Sequence, residues 1–186
     1  MVTAPVAPPS ADVLARARRV KLVLTDCDGV LTDAGVYVSA QGEQLKRFSL
    51  RDGLGVERLR TIGNIPTGII TREQSAIVAK RAEKLKIEEL HLGVRDKLPE
   101  VRAIAERRGI GLDEIAYIGD DVNDLDVLDA VGLAAAPCDA EPLVLDRVHV
   151  ICTRAGGHGA FREFAELVLA AQHPPAALRP PTPRHA

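Results

Sequence analysis

Residues 20–28 read Val-Lys-Leu-Val-Leu-Thr-Asp-Cys-Asp. The apolar run Val20–Thr25 has the length of a short buried strand and stops abruptly at Asp26, with Asp28 beyond Cys27. The pattern recurs along the chain. Pro66–Ile70, Glu89–Leu92, Ile115–Ile118, Gly132–Ala136 and His149–Ile151 are further strand candidates. Between them lie helical patterns at Leu54–Arg60, Glu73–Leu85, Lys97–Arg108, a helix running through Leu128, and Gly159–Ala171. Val36–Ser39 and Gln44–Phe48, joined by Ala40-Gln41-Gly42-Glu43, predict a β-hairpin. Strands alternating with helices predict an α/β protein, doubly wound around a mostly parallel sheet, with one small hairpin insert.

The bulk properties narrow the function. Of 186 residues, 24 are Lys or Arg and 26 are Asp or Glu, a net charge of −2 that offers nothing to attract nucleic acid or an anionic membrane. Aromatics are 3% with no Trp, so stacking platforms for single-stranded nucleic acid are not expected. No apolar run approaches the length of a membrane span. Cys27, Cys138 and Cys152 are odd in number and lack a C-x-x-C spacing, which fits neither a disulfide scaffold nor a zinc site. The N-terminus does not read as a secretory signal, and a cytoplasmic location is expected. Residues 1–10 and 173–186 are Pro- and Ala-rich and predict disordered tails. The first tail is drawn through residue 18, leaving one domain over 19–172 with the hairpin at 36–48.

Two acidic turns carry the chemistry. Asp26 and Asp28 follow one strand; Gly119-Asp120-Asp121-Val122-Asn123-Asp124 follows another. In an open α/β sheet, ligands bind beyond the carboxyl ends of the strands. Two acidic groups converging there repel unless a cation sits between them, and hard carboxylate oxygens suit Mg²⁺ with a substrate phosphate. Helix capping explains any one of these acids but poorly explains the set. Thr71, at the end of Pro66–Ile70, can donate to a phosphate oxygen, and Lys97, at the start of a helix, can neutralise phosphate.

DCDGVLTD (26–33), IIT (69–71), Lys97 and GDDVND (119–124) resemble the four motifs of the haloacid dehalogenase superfamily. RDGLGV (51–56), GVRDKL (93–98), YIGDDVNDLDVL (117–128) and AGGHGAFREF (155–164) are similar to the capless sugar-phosphate phosphatases of that superfamily. Those are the 3-deoxy-D-manno-octulosonate 8-phosphate phosphatases, their nine-carbon nonulosonate relatives, and the phosphatase-like domains attached to some acylneuraminate cytidylyltransferases. The resemblance implies a Rossmann-like haloacid dehalogenase fold and an aspartyl-phosphate mechanism. In it, Asp26 would be the nucleophile and Asp28 the general acid and base. Mg²⁺ would sit on Asp26, the Asp28 carbonyl and Asp120. Thr71 and Lys97 would hold the phosphoryl oxygens. Asp121, Asn123 and Asp124 would brace the metal shell and Lys97, and Gly29 and Val30 would turn backbone N–H groups to the phosphate.

The substrate signals divide. Arg51-Asp52-Gly53 looks like the octulosonate enzymes, whereas Glu73 and Lys84 within VAKRAEKLKI (78–87) and its approach resemble the nonulosonate branch. Sharing one helix face, Glu73 could accept from sugar hydroxyls and Lys84 pair with a carboxylate. The alternative is a helix-initiating acid and a solvated lysine. Arg162 is a candidate contact or a plain helix-face Arg, and His158 reads as a surface loop residue. Asp33 and Arg51 are too close for a lid domain between them. The resemblance therefore implies a homotetramer built on the 36–48 hairpins, each active site finished by a neighbouring chain around a small sugar phosphate. Two rivals stand beside this reading: a receiver-like signalling domain, which lacks a counterpart of Asp28, and a non-catalytic partner of a cytidylyltransferase. A cysteine nucleophile is disfavoured, because Cys27 lies between two carboxylates.

Overall fold

The structure, a computed structural model, describes residues 8–178. Strand β1 (Leu22–Thr25) lies in a six-stranded parallel sheet with β4 (Thr67–Ile70), β5 (Glu89–His91), β6 (Ile115–Ile118), β7 (Leu133–Ala136) and β8 (Val150–Ile151), in the order β5-β4-β1-β6-β7-β8. A separate antiparallel ribbon pairs β2 (Thr32–Ser39) with β3 (Gly42–Phe48).

Alternation along β1 builds the layers, since successive strand side chains point to opposite faces. Leu22 and Leu24 pack with Tyr117, Val101 and Ile104, under helices α4 (Lys97–Arg108) and α5 (Leu125–Ala130). Val23 packs on the other face with Ile69, Ile118, Leu59 and Phe164, under α1 (Ala11–Ala17), α2 (Leu50–Ile62) and α7 (Ala160–Gln172). Helices α3 (Ala76–Leu85) and α6 (Pro142–Leu145) complete the chain.

Several boundaries differ from the sequence expectation. The tail drawn through residue 18 contains α1, where Ser10 Oγ accepts from the Val13 N–H at 3.2 Å. Val13 and Ala17 are buried, and Arg16 donates to the Gly132 carbonyl at 2.9 Å. Residues 1–7 and 179–186 of the expected tails lie outside the described residues. Helix α2 starts four residues before the predicted Leu54 because Ser49 Oγ accepts from the Arg51 and Asp52 N–H groups. Within α2, Gly55 serves close packing: a Cβ there would meet Arg162 Cα at 3.1 Å. Helix α3 starts at Ala76, not Glu73, because Ser75 is its N-cap. The hairpin strands are longer than predicted, and the short α6 has no counterpart in the sequence reading.

Candidate active site

The order β4-β1-β6 brings three strand ends side by side, roughly 5 Å apart as neighbouring strands are. Thr71, Asp26 and Asp120 leave those ends, and Lys97 begins the helix after β5. A cleft of about 230 Å³ opens there, lined by Asp26, Asp28, Thr71, Glu73, Asp120 and Asn123 among others.

Asp26 is 6% exposed. Its Oδ1 accepts from the Cys27 N–H at 2.6 Å, and its Oδ2 pairs with Lys97 Nζ at 2.9 Å. The Lys97 side chain is fully buried and also donates to Asp124 Oδ1 at 2.7 Å. Asp124 is saturated: Tyr117 Oη donates to Oδ1 at 2.6 Å, and the Asp120 and Asp121 N–H groups donate to Oδ2. Although burial opposes it, Asp26 and Asp124 keep the Lys97 ammonium charged.

The acids exceed the cations. Asp26, Asp120 and Asp124 each present an oxygen within 4.8 Å of the others; among the described residues Lys97 is the cation paired with this trio, which leaves the trio two negative charges in excess (3 − 1). At that spacing two carboxylates repel by about 3 kcal/mol or more at an effective dielectric near 20. Burial first, then Asp124, pushes Asp26 up to about 7. Burial, then Asp26 and Asp124, pushes Asp120 up to about 8. Asp120 Oδ1 is buried without a hydrogen-bond partner among the described residues. An unpartnered buried carboxylate oxygen amid excess negative charge fits a hard divalent cation, held by Asp26 and Asp120. The turn leaves no room for a side chain at Gly29, which has φ +85 and whose Cβ would lie 1.9 Å from Asp120 Oδ2.

The structure does not gather every predicted residue. Thr71 is 2% exposed; its Oγ1 accepts from the Glu73 N–H at 3.3 Å, leaving its own O–H to donate. Asp121 and Asn123 line the cleft. The Val30 N–H instead turns back to the Cys27 carbonyl at 3.4 Å, and its side chain is in the core. Glu73 reaches the cleft from the loop before α3, so it shares no helix face with Lys84, which is exposed and lines no part of the cleft. Arg51 and Arg162 line a different basin with Arg154 and Glu166, where Arg162 Nε donates to Glu166 at 2.8 Å. Burial, then Asp28 and Asp26, pushes the Cys27 thiol well up, which disfavours the thiolate a cysteine nucleophile needs.

The structural roles of three residues escaped the sequence reading. Tyr117 looks like any strand aromatic, yet its hydroxyl holds Asp124. Asp52 is 1% exposed and accepts from the Gly159 and Arg162 N–H groups, capping α7. Lys46 looks like a solvated hairpin charge, yet its Nζ lies 2.6 Å from Asp28 Oδ2. Its local signal is the charge itself, on a strand that alternates exposed residues with the half-buried Glu43 and Phe48.

A family model described as haloacid dehalogenase-like hydrolase matches residues 71–163. The chain is 40% identical to the 3-deoxy-D-manno-octulosonate 8-phosphate phosphatase of Escherichia coli strain K12, over 89% of this chain and 87% of that protein. Among solved structures it is similar to the phosphatase of that name from Yersinia pestis, with 39% identity, a TM-score of 0.86 and 89% of each chain covered. It is similar too to the Moraxella catarrhalis enzyme in complex with magnesium, phosphate and KDO, with 35% identity, a TM-score of 0.84, and 87% of this chain and 92% of that one covered.

Proposed function

The chain belongs to the haloacid dehalogenase-like hydrolases and is a phosphoric monoester hydrolase, and on that footing we propose that it dephosphorylates 3-deoxy-D-manno-octulosonate 8-phosphate with Mg²⁺. The observation that carries this reading is one cleft shared by Asp26, Asp28, Thr71 and Asp120, in a chain 40% identical to an octulosonate 8-phosphate phosphatase. Family membership sets aside the receiver-like alternative, and the intact Asp26, Asp28, Lys97 and Asp120 argue against a non-catalytic partner.

An Asp26 oxygen attacks phosphorus, and the bond from phosphorus to the sugar oxygen breaks with its electron pair on that oxygen. Asp28 supplies the proton that makes the leaving oxygen an alcohol. A water then attacks the phosphorus of the aspartyl-phosphate, Asp28 takes its proton, and phosphate departs from a restored Asp26. Lys97, 2.9 Å from Asp26, orients the nucleophile and offsets charge. The Thr71 hydroxyl holds a phosphoryl oxygen. Mg²⁺, when bound, neutralises charge on the phosphoryl group and on Asp26. A cytoplasmic location suits a charged sugar phosphate; no helix among the described residues is long and apolar enough to cross a membrane.

Glu73 in the cleft favours a second substrate, a nine-carbon 2-keto-3-deoxy 9-phosphate. Phosphate release from eight- and nine-carbon substrates under one set of Mg²⁺ conditions tests both. The octulosonate is expected to show the higher kcat/KM, and silence on both would end this reading.

Assembly belongs to the same proposal. On the ribbon, Val36, Tyr37, Val38 and Leu45 are 45–69% exposed, and an isolated two-stranded ribbon is marginal in water. A homotetramer closed on these ribbons would cover them and finish each cleft with a neighbouring chain. Light scattering is expected to give four chains for the native protein and one for the Tyr37→Asp, Val38→Asp double variant, with activity falling alongside. A fully active monomer would refute it.

A further inference from the structure

Asp28 is held at both oxygens, and both holders come from the ribbon. Thr32, the first residue of β2, donates from Oγ1 to Asp28 Oδ1 at 3.1 Å. Lys46 on β3 donates from Nζ to Asp28 Oδ2 at 2.6 Å, and its side chain is only 3% exposed. Lys46 is itself braced by Glu43 Oε2 at 3.4 Å. The other oxygen of Glu43 accepts from Ser75 Oγ, the N-cap of α3. A chain of contacts thus runs from the α3 start, across the ribbon, to Asp28.

A buried lysine is costly unless something requires it there. The phosphatase reading uses Lys97 for charge at the nucleophile and leaves Lys46 without a task. Solvent-exposed ion pairs are typically worth little; this pair is shielded and directed at one carboxyl group. Resting on the mechanism proposed above, we propose that Lys46 is a positioning residue that, with Thr32, aims the Asp28 carboxyl group at the oxygen of the departing alcohol. The seating of the ribbon then governs leaving-group departure, while the phosphoryl and metal side of the cleft stands on Lys97, Tyr117 and Asp124.

The idea has a chemical signature. A sugar alkoxide needs a proton as it leaves; a nitrophenolate leaves without one. The parameter kcat/KM ends with departure of that group, so it isolates the step from hydrolysis of the aspartyl-phosphate. Lys46→Met is expected to lower kcat/KM for octulosonate 8-phosphate about 100-fold, the cost of displacing a catalytic group by about an ångström. The same variant should lose less than about threefold on p-nitrophenyl phosphate, because general acid help is not needed there. Lys46→Arg, which can still pair with Asp28, should recover most of the loss. Thr32→Val, which frees the other oxygen, should repeat the selective pattern and serves if Lys46→Met fails to fold.

Equal losses on both substrates would overturn the proposal, because Lys46 would then serve the fold, the phosphoryl group or the metal. No loss on either would overturn it as well. Wild-type turnover separates this from the parent reading. If the native enzyme ignores octulosonate 8-phosphate, the substrate assignment fails, and ribose 5-phosphate, another primary alkyl phosphate, carries the same comparison.

Discussion

Asp26→Asn leaves the fold intact and removes turnover. A neutral amide cannot attack phosphorus, so no aspartyl-phosphate forms. The loss is expected to be at least about ten-thousand-fold in kcat, the scale on which removal of a covalent nucleophile leaves only binding and electrostatics. The fold should survive because Asn has the same shape and can still accept from the Cys27 N–H. Lys97 keeps its second partner, Asp124, at 2.7 Å, so no buried charge is stranded. Circular dichroism and the melting temperature report on the fold, and phosphate release reports on chemistry. Asp28→Asn should cost less, about 100- to 10,000-fold, the range of general acid and base help. Near-native phosphatase activity in Asp26→Asn would remove the mechanism.

Removal of Mg²⁺ should be nearly as severe, and its effect should depend on pH in a definite direction. Burial and mutual repulsion raise Asp26 to about 7 and Asp120 to about 8 from an ordinary 3.8. Between the ordinary value and those raised values, the unfolded chain has released protons that the metal-free folded chain retains. Stability of the metal-free protein therefore falls as pH rises through that window. Mg²⁺ binds the carboxylate form and displaces those protons, so its affinity rises with pH. At saturating Mg²⁺, about 100 times its Kd, the gain is about 2.7 kcal/mol, or about 5–10 °C for a chain of this size. That gain should appear near about pH 8 and shrink by about pH 5.5. Chelation with EDTA should stop turnover, and Ca²⁺ should oppose Mg²⁺, because the larger ion takes six to eight oxygens. Full activity after EDTA, or a thermal gain that grows as pH falls, would contradict the assignment of the acidic cleft.

Much of this site is legible because it is local. A run such as Ile115–Ile118 is apolar because it is buried in a parallel sheet, and the acids at 120–124 follow it directly. Helix α4 matches its predicted bounds because Gly109, with φ +64, ends it and nothing distant interferes. Helix α3 starts three residues beyond the expected Glu73, since Arg72, Glu73 and Gln74 have helical chemistry but Ser75 is the N-cap. That small shift dissolves the pairing of Glu73 with Lys84.

By itself, then, the sequence determined the sheet, the order of its strands along the chain, and which strand ends carry Asp26, Thr71 and Asp120. Each rests on periodicity and on neighbours within a few residues. Only the tertiary structure decided which distant groups meet. Lys46 reaches Asp28 across 18 positions, and Asp52 caps α7 across 107 and 110. Arg51 and Arg162 face a different basin from the acids. A charge on an exposed strand and a charge aimed into a cleft have the same local sequence. What separates them is the path of the backbone, which brings the ribbon over the end of β1 and excludes water from the lysine that lands there.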